Sequence, residues 1–194
     1  MIVNKLLMLR SVKASLLNFA GLPHRTKIFV AGNHETNFPK QSREHTAVLL
    51  APSCIYLEDA SITVSGIHFY GSPWNVLRHN SFARAFSISY SSLPAHWREI
   101  PQDTDVLVTH SPAYGVSDLG SNKHMLNTTR YCDLCQDYHK VFTHFGCPSL
   151  LDEIRHRVRY RYVGLCFVLC SLPPPKRLCF TQRLFVCLSV CNFT

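Results

Sequence analysis

Apolar residues fall into short runs divided by polar stretches and by turns bearing glycine or proline, and their spacing sorts them into elements. Between residues 3 and 20, Leu6, Leu9, Val12, Leu16 and Phe19 recur at steps of three and four. That period predicts an amphipathic helix, stopped by Gly21 and Pro23. Ile28-Phe29-Val30-Ala31 is continuously apolar and predicts a buried strand running into Gly32. Residues 41–50 predict a second short helix, with Ala47, Leu49 and Leu50 apolar. Ile62-Thr63-Val64 and Ile67-His68-Phe69-Tyr70 flank Ser65-Gly66, the signature of a hairpin closed by a primed turn. Residues 74–101 show no period and predict a long excursion containing one short helix near 95–99.

Val106-Leu107-Val108 predicts another strand, with His110 just past its end. Residues 117–144 are polar and predict loop. At 147–154 a helix opens, with Pro148 near its first position and Asp152 and Glu153 in its first turn. Arg155 and Arg157 fall in its last turn, while Leu150, Leu151, Ile154 and Val158 form its apolar face. The basic positions from 155 to 161 predict a solvated face. Residues 160–163 begin the next strand. From Gly164 onward there is no Asp or Glu and no period, which predicts a tail without regular structure. Its Phe, Leu, Ser, Pro and Cys are favoured by pyrimidine-rich codons, as in translated non-coding sequence.

Composition narrows the class. A chain of 194 residues suits one domain with a real core. The formal charge of +8 fits an anionic partner, yet much of it lies at 155–161 and in the tail. No arginine patch interleaves with aromatics, so a nucleic-acid partner is not favoured. Nine cysteines are an odd number, and five of them (Cys166, Cys170, Cys179, Cys187, Cys191) crowd the tail. Residues 1–10 mix Asn4, Lys5 and Arg10 into their apolar positions and lack an uninterrupted signal core, so the thiols point to a reducing, cytoplasmic setting. The apolar tail runs at 164–172 and 184–190 are too short to cross a bilayer and are split by Pro173, Pro174 and Pro175, so no membrane partner is expected.

Candidate chemistry sits where strands end. Asn33 and His34 follow the Gly32 turn, and His110 follows the 106–108 strand. Open α/β sheets present ligands at the carboxyl ends of their strands. By residue type alone, all three fit solvated turn positions as well as metal ligands. Cys132 and Cys135 with His139 and His144 invite a zinc site. Only three residues separate Cys135 from His139, fewer than a zinc finger requires, which favours a thiol-bearing loop.

Gly32-Asn33-His34-Glu35 resembles the Gly-Asn-His-Glu signature of the calcineurin-like metallophosphoesterase superfamily, and Val106 through Pro112 resembles the family's Thr-His block. The segments at 55–57, 62–64 and 69–74 follow in the order of the metallophosphoesterase-domain-containing branch, which is similar to class III cyclic-nucleotide phosphodiesterases. The resemblance covers about residues 19–163. It implies an α/β fold, a four-layer sandwich of mixed sheets flanked by helices and incomplete at both ends. Residues 1–163 would be a partial metallophosphoesterase domain and 164–194 a Cys-rich, disordered tail foreign to the family.

The resemblance also implies chemistry. In the family an Asp-x-His block, a Gly-Asp block and a Gly-His-x-His block complete a site for two divalent metals (Mn, Fe, Zn or Mg), which hydrolyses phosphodiesters. Carried over, Asn33 and His110 would bind the second metal and His34 would donate a proton to the leaving alkoxide. Asp59, Asp105 and Asp118 match none of the other blocks; Asp59 suits a turn and Asp105 the polar edge of a strand. The implied substrate is a small phosphodiester or nucleotide-like molecule. With two neutral ligands this chain would offer at most one weak metal site and be inactive or impaired. Without the strands that carry the other blocks, the Ile28 and Val106 strands would each have an unpaired neighbour position. The alternatives are a non-catalytic relative that keeps the fold as a binding or regulatory surface, and a zinc-dependent nucleic-acid binder built on Cys132 and Cys135.

Overall fold

The computed structural model describes residues 24–77, 84–116, 118–121, 130–132, 136–139, 142–157, 162–165 and 184–188; the helix expected over 3–20 lies outside them. In chain order come β1 (Thr26–Val30), α1 (Arg43–Leu50), β2 (Ile55–Leu57), β3 (Ala60–Val64), β4 (Ile67–Ser72), β5 (Asn75–Val76) and β6 (Ser87–Ile88). There follow α2 (Leu93–Arg98), β7 (Val106–Thr109), β8 (Leu119–Ser121), β9 (Arg130–Cys132), β10 (Asp137–His139), β11 (Phe142–His144), α3 (Pro148–His156), β12 (Tyr162–Leu165) and β13 (Leu184–Leu188).

Alternation along the central strands builds the layers. One sheet has the order β13-β1-β2, all parallel. The other has the order β12-β7-β4-β3, parallel except for the β3–β4 hairpin. Ile28 and Val30 of β1, Leu57 of β2, Phe69 of β4 and Val108 of β7 bury between the sheets. The residues between them point outward. Phe29, Ala31 and Tyr56 pack with Phe38, Leu50 of α1 and Phe86. Tyr70 and Leu107 pack with Leu93 and Trp97 of α2 and with Leu150 and Ile154 of α3. The result is helix, sheet, sheet, helix, a mixed α/β fold of four layers. Strands buried on both faces read as continuous apolar runs, which is why 28–31 and 106–108 were legible.

The hairpin turn has positive φ at both Ser65 (52°) and Gly66 (78°), the primed geometry its sequence predicts. Ser42 caps α1 by accepting from the His45 N–H at 3.1 Å.

Several expectations change. The Ile28 and Val106 strands are not left with an open side: β13 and β2 flank β1, and β12 and β4 flank β7. Part of the tail accordingly departs from the disorder expected of it, because Leu184–Leu188 is an unbroken apolar run and forms a parallel strand on β1. Residues 117–144 are not loop throughout; β8 pairs with β11, and β9 with β10, both antiparallel. Strands of three residues are too short to show a period of two. In α3 the helix starts at Pro148, so Asp152 and Glu153 fall after its first turn.

Arg157 is not on a solvated face. Its guanidinium pairs with Glu153 and donates to the carbonyl oxygens of Trp97, Arg98 and Ile100 at 3.1, 2.6 and 2.8 Å. It thereby satisfies carbonyls orphaned at the end of α2 and fastens α3 to it. Arg157→Ala is expected to lower the unfolding free energy by about 2 kcal/mol in urea denaturation. Arg157→Lys should recover little, because an ammonium cannot span the same three acceptors.

Candidate functional site

The two sheets stack so that the carboxyl ends of β1 and β7 converge. After β1 the chain turns through Gly32-Asn33-His34-Glu35, and the turn is closed twice. The Glu35 N–H donates to the Gly32 carbonyl at 3.2 Å, and the Gly32 N–H donates to the Glu35 carboxylate at 2.7 Å. Glu35 is thus spent on holding the loop. The Asn33 carbonyl in turn accepts from the Ala85 N–H at 3.1 Å, which ties the loop to the segment before β6. At the end of β7 the buried Thr109 hydroxyl donates to the Ser111 carbonyl at 2.7 Å. The His110 N–H donates to the Ser72 carbonyl at the end of β4, at 3.1 Å. Both ends of the His110 turn are therefore fixed before its side chain is placed.

Asn33 and His110, 77 positions apart, meet there. His110 Nε2 lies 3.1 Å from Asn33 Oδ1 and accepts from the Asn33 backbone N–H at 3.3 Å. Both side chains can act as metal ligands, the amide through its oxygen and the imidazole through a ring nitrogen. Two donors each about 2.1 Å from a shared ion and a right angle apart are themselves about 3.0 Å apart, so the observed spacing fits. Burial, reinforced by the nearby His34, pushes the pKa of His110 down to about 4, so its ring is neutral and able to ligate at neutral pH. His34 is exposed and close enough to His110 for its charge to act on that ring. The structure thus gathers Asn33, His34 and His110 in one place.

The other sequence candidates go elsewhere. Asp59 has the positive φ of a turn residue (44°), yet its carboxylate accepts from Ser72 Oγ at 2.7 Å and from Trp74 Nε1, with His96 Nδ1 at 3.4 Å. That network braces the end of β4, whose Ser72 carbonyl holds His110. Nothing local in the sequence announced it, since the partners are 13, 15 and 37 positions away, the last being 96 − 59. Trp74 packs its ring on His96 (4.2 Å between centroids) and Phe86 (5.7 Å), a packing role beside the site loop. Asp105 accepts from the His68 N–H at 3.0 Å, at the strand edge expected of it. Asp118 is buried and hydrogen-bonded to His144. Among the described residues, no group of three or more His, Cys, Asp or Glu side chains converges to hold a metal. No described helix is long and apolar enough to cross a membrane.

Comparison with known proteins agrees with the geometry. Residues 6–145 match the family model for calcineurin-like phosphoesterases. The UPF0046 protein C25E10.12 of Caenorhabditis elegans is 32% identical over 154 residues, covering 73% of this chain and 48% of its own. The human and mouse proteins called metallophosphoesterase domain-containing protein 1 are each 28% identical over 163 residues, covering 72% of this chain and 43% of theirs. The chain spans about half the length of the curated relatives it matches.

Proposed function

Because the chain belongs to the calcineurin-like phosphoesterase family, we propose that its Asn33–His110 corner is one part of a divalent-metal site for phosphodiester hydrolysis, with His34 as the acid for the leaving group. The observation that carries this is the 3.1 Å approach of Asn33 Oδ1 to His110 Nε2, which sets two side chains able to ligate a metal side by side. When bound, divalent ions supply an activated water and neutralise charge on the phosphoryl oxygens. Asn33 and His110 act as neutral holders in this reading. His34 stays outside the ligand set and passes a proton to the departing alkoxide, a task for which an imidazole near pH 7 is suited. The substrate is a small phosphodiester or nucleotide-like molecule.

Two neutral donors without a bridging carboxylate hold a divalent ion weakly, so we take turnover by this chain to be absent or low. Titrating the purified chain with Mn²⁺ by calorimetry, and assaying hydrolysis of bis(p-nitrophenyl) phosphate, tests the reading. One weak equivalent is expected, abolished by Asn33→Ala or His110→Ala and unchanged by His34→Ala. Any turnover should fall by about 10²- to 10⁴-fold in His34→Ala. No heat of binding at millimolar metal would favour a non-catalytic relative. Robust turnover that survives His110→Ala would overturn the assignment.

A further inference from the structure

The Asp118–His144 pair is no part of the ligand set proposed above and is nearly closed off from solvent. The Asp118 side chain is 1% exposed and the His144 side chain 9%. Asp118 Oδ1 meets His144 Nδ1 at 2.6 Å. Its other oxygen, Oδ2, accepts from the Gly115 N–H at 2.9 Å and the Gly146 N–H at 3.0 Å. Those two amides fix the carboxylate and disperse part of its charge. The Tyr114 ring stands edge-on to the imidazole, 5.3 Å between centroids, and limits its rotation. The imidazole also hydrogen-bonds Cys132, on β9. Cysteine, histidine and aspartate therefore stand in series, a nucleophile with a base held in orientation by a third group.

Cys132 differs from the other described cysteines. It is half-buried and so open to small molecules, whereas Cys54 and Cys147 are buried and none of the three is in a disulfide. Cys147 is further occupied as the acceptor of the Trp97 indole N–H at 3.3 Å. An imidazole that can take the thiol proton, and a carboxylate that stabilises the resulting imidazolium, together favour the thiolate. The Asp118 charge alone would oppose a nearby thiolate, but its carboxylate is engaged by His144 and by the two glycine amides, which disperse part of that charge.

We propose that Cys132, backed by His144 and Asp118, is a reactive thiol that exchanges with low-molecular-weight disulfides. The Cys132 proton passes to His144, and the thiolate attacks one sulfur of R–S–S–R. A Cys132–S–S–R bond forms as the R–S–S–R bond breaks, and R–S⁻ leaves and takes the proton from the imidazolium, giving R–SH. The excursion that carries β8 to β11 would then be a redox-addressable appendage of the phosphoesterase fold.

Alkylation of the full chain by iodoacetamide across pH 5–10, followed site by site by peptide mass spectrometry, tests this. Native Cys132 should react with a midpoint below about pH 7.5, against about 8.5 for the same cysteine in the urea-unfolded chain. At pH 6 it should react at least about threefold faster than in the unfolded chain, the roughly tenfold or greater gain in thiolate fraction being partly offset by lower intrinsic nucleophilicity. Glutathione disulfide should give an adduct at Cys132 and none at Cys54 or Cys147. His144→Gln and Asp118→Asn should move the midpoint towards 8.5, with continued protection of Cys147 showing that the core is intact. A native midpoint at or above 8.5 overturns the proposal whatever the variants do. So does an unchanged midpoint in His144→Gln with Cys147 still protected.

Discussion

Lowering the pH of chelator-treated protein from 6.5 to 4 is expected to weaken the fold by on the order of 3 kcal/mol through His110 alone. The sign follows from the depressed value. Between about 4 and 6.5 the unfolded chain binds a proton at this histidine that the folded chain refuses, so stability falls as pH falls through that window. Burial is the main cause and the neighbouring His34 adds to it. His144 acts on the other side. Burial works to lower its pKa, but its bonds to Asp118 and Cys132 outweigh that and raise it. Its contribution is fully present below 6.5 and is lost as pH rises through the raised value. Glu58, raised by burial, favours the fold as pH falls and partly offsets His110. The difference between wild type and His110→Gln, from urea unfolding at each pH, isolates the His110 contribution. An acid slope equally steep in His110→Gln would show that the ring is not held neutral by its site.

That corner also shows what the sequence could and could not convey. Ile28 to Ala31 and Val106 to Val108 were legible because strands buried on both faces admit no polar residue. The hairpin was legible because Ser65-Gly66 carries its own backbone requirement. Asn33 and His110 could be named from their blocks, but their meeting depends on two separate sheets stacking in one register, which no local pattern encodes. Asp59 and Asp118 looked like ordinary loop acids for the same reason: each draws its partners from distant segments. Leu184 to Leu188 lacks alternation, so its sequence could not distinguish a strand from any other apolar stretch, and only the side of β1 opposite β2 gives it a place. Arg157 shows the converse error, a charge assigned to water that the fold uses to close a helix end.

Gly71→Val is expected to destabilise the chain by about 3 kcal/mol or more, and Gly71→Ala by about 2. The position alternates with Tyr70 and so faces the opposite sheet. A Cβ there would overlap Leu57 Cβ and come within 2.8 Å of Val30 Cγ2. Neither neighbour can yield, because Val30 is 0% and Leu57 2% exposed, and both belong to the packed space between the sheets. The only relief is to move the sheets apart. Val30 leads through Ala31 into Gly32 and Asn33, and Ser72, next to Gly71, holds the His110 backbone. Separation at Gly71 therefore lengthens the very gap that brings Asn33 Oδ1 to His110 Nε2. Gly71→Ala should consequently lose Mn²⁺ binding heat at a temperature where circular dichroism still shows it folded. A variant destabilised by 2 kcal/mol that binds metal as wild type does would mean the corner is set by its own loops rather than by the spacing of the sheets.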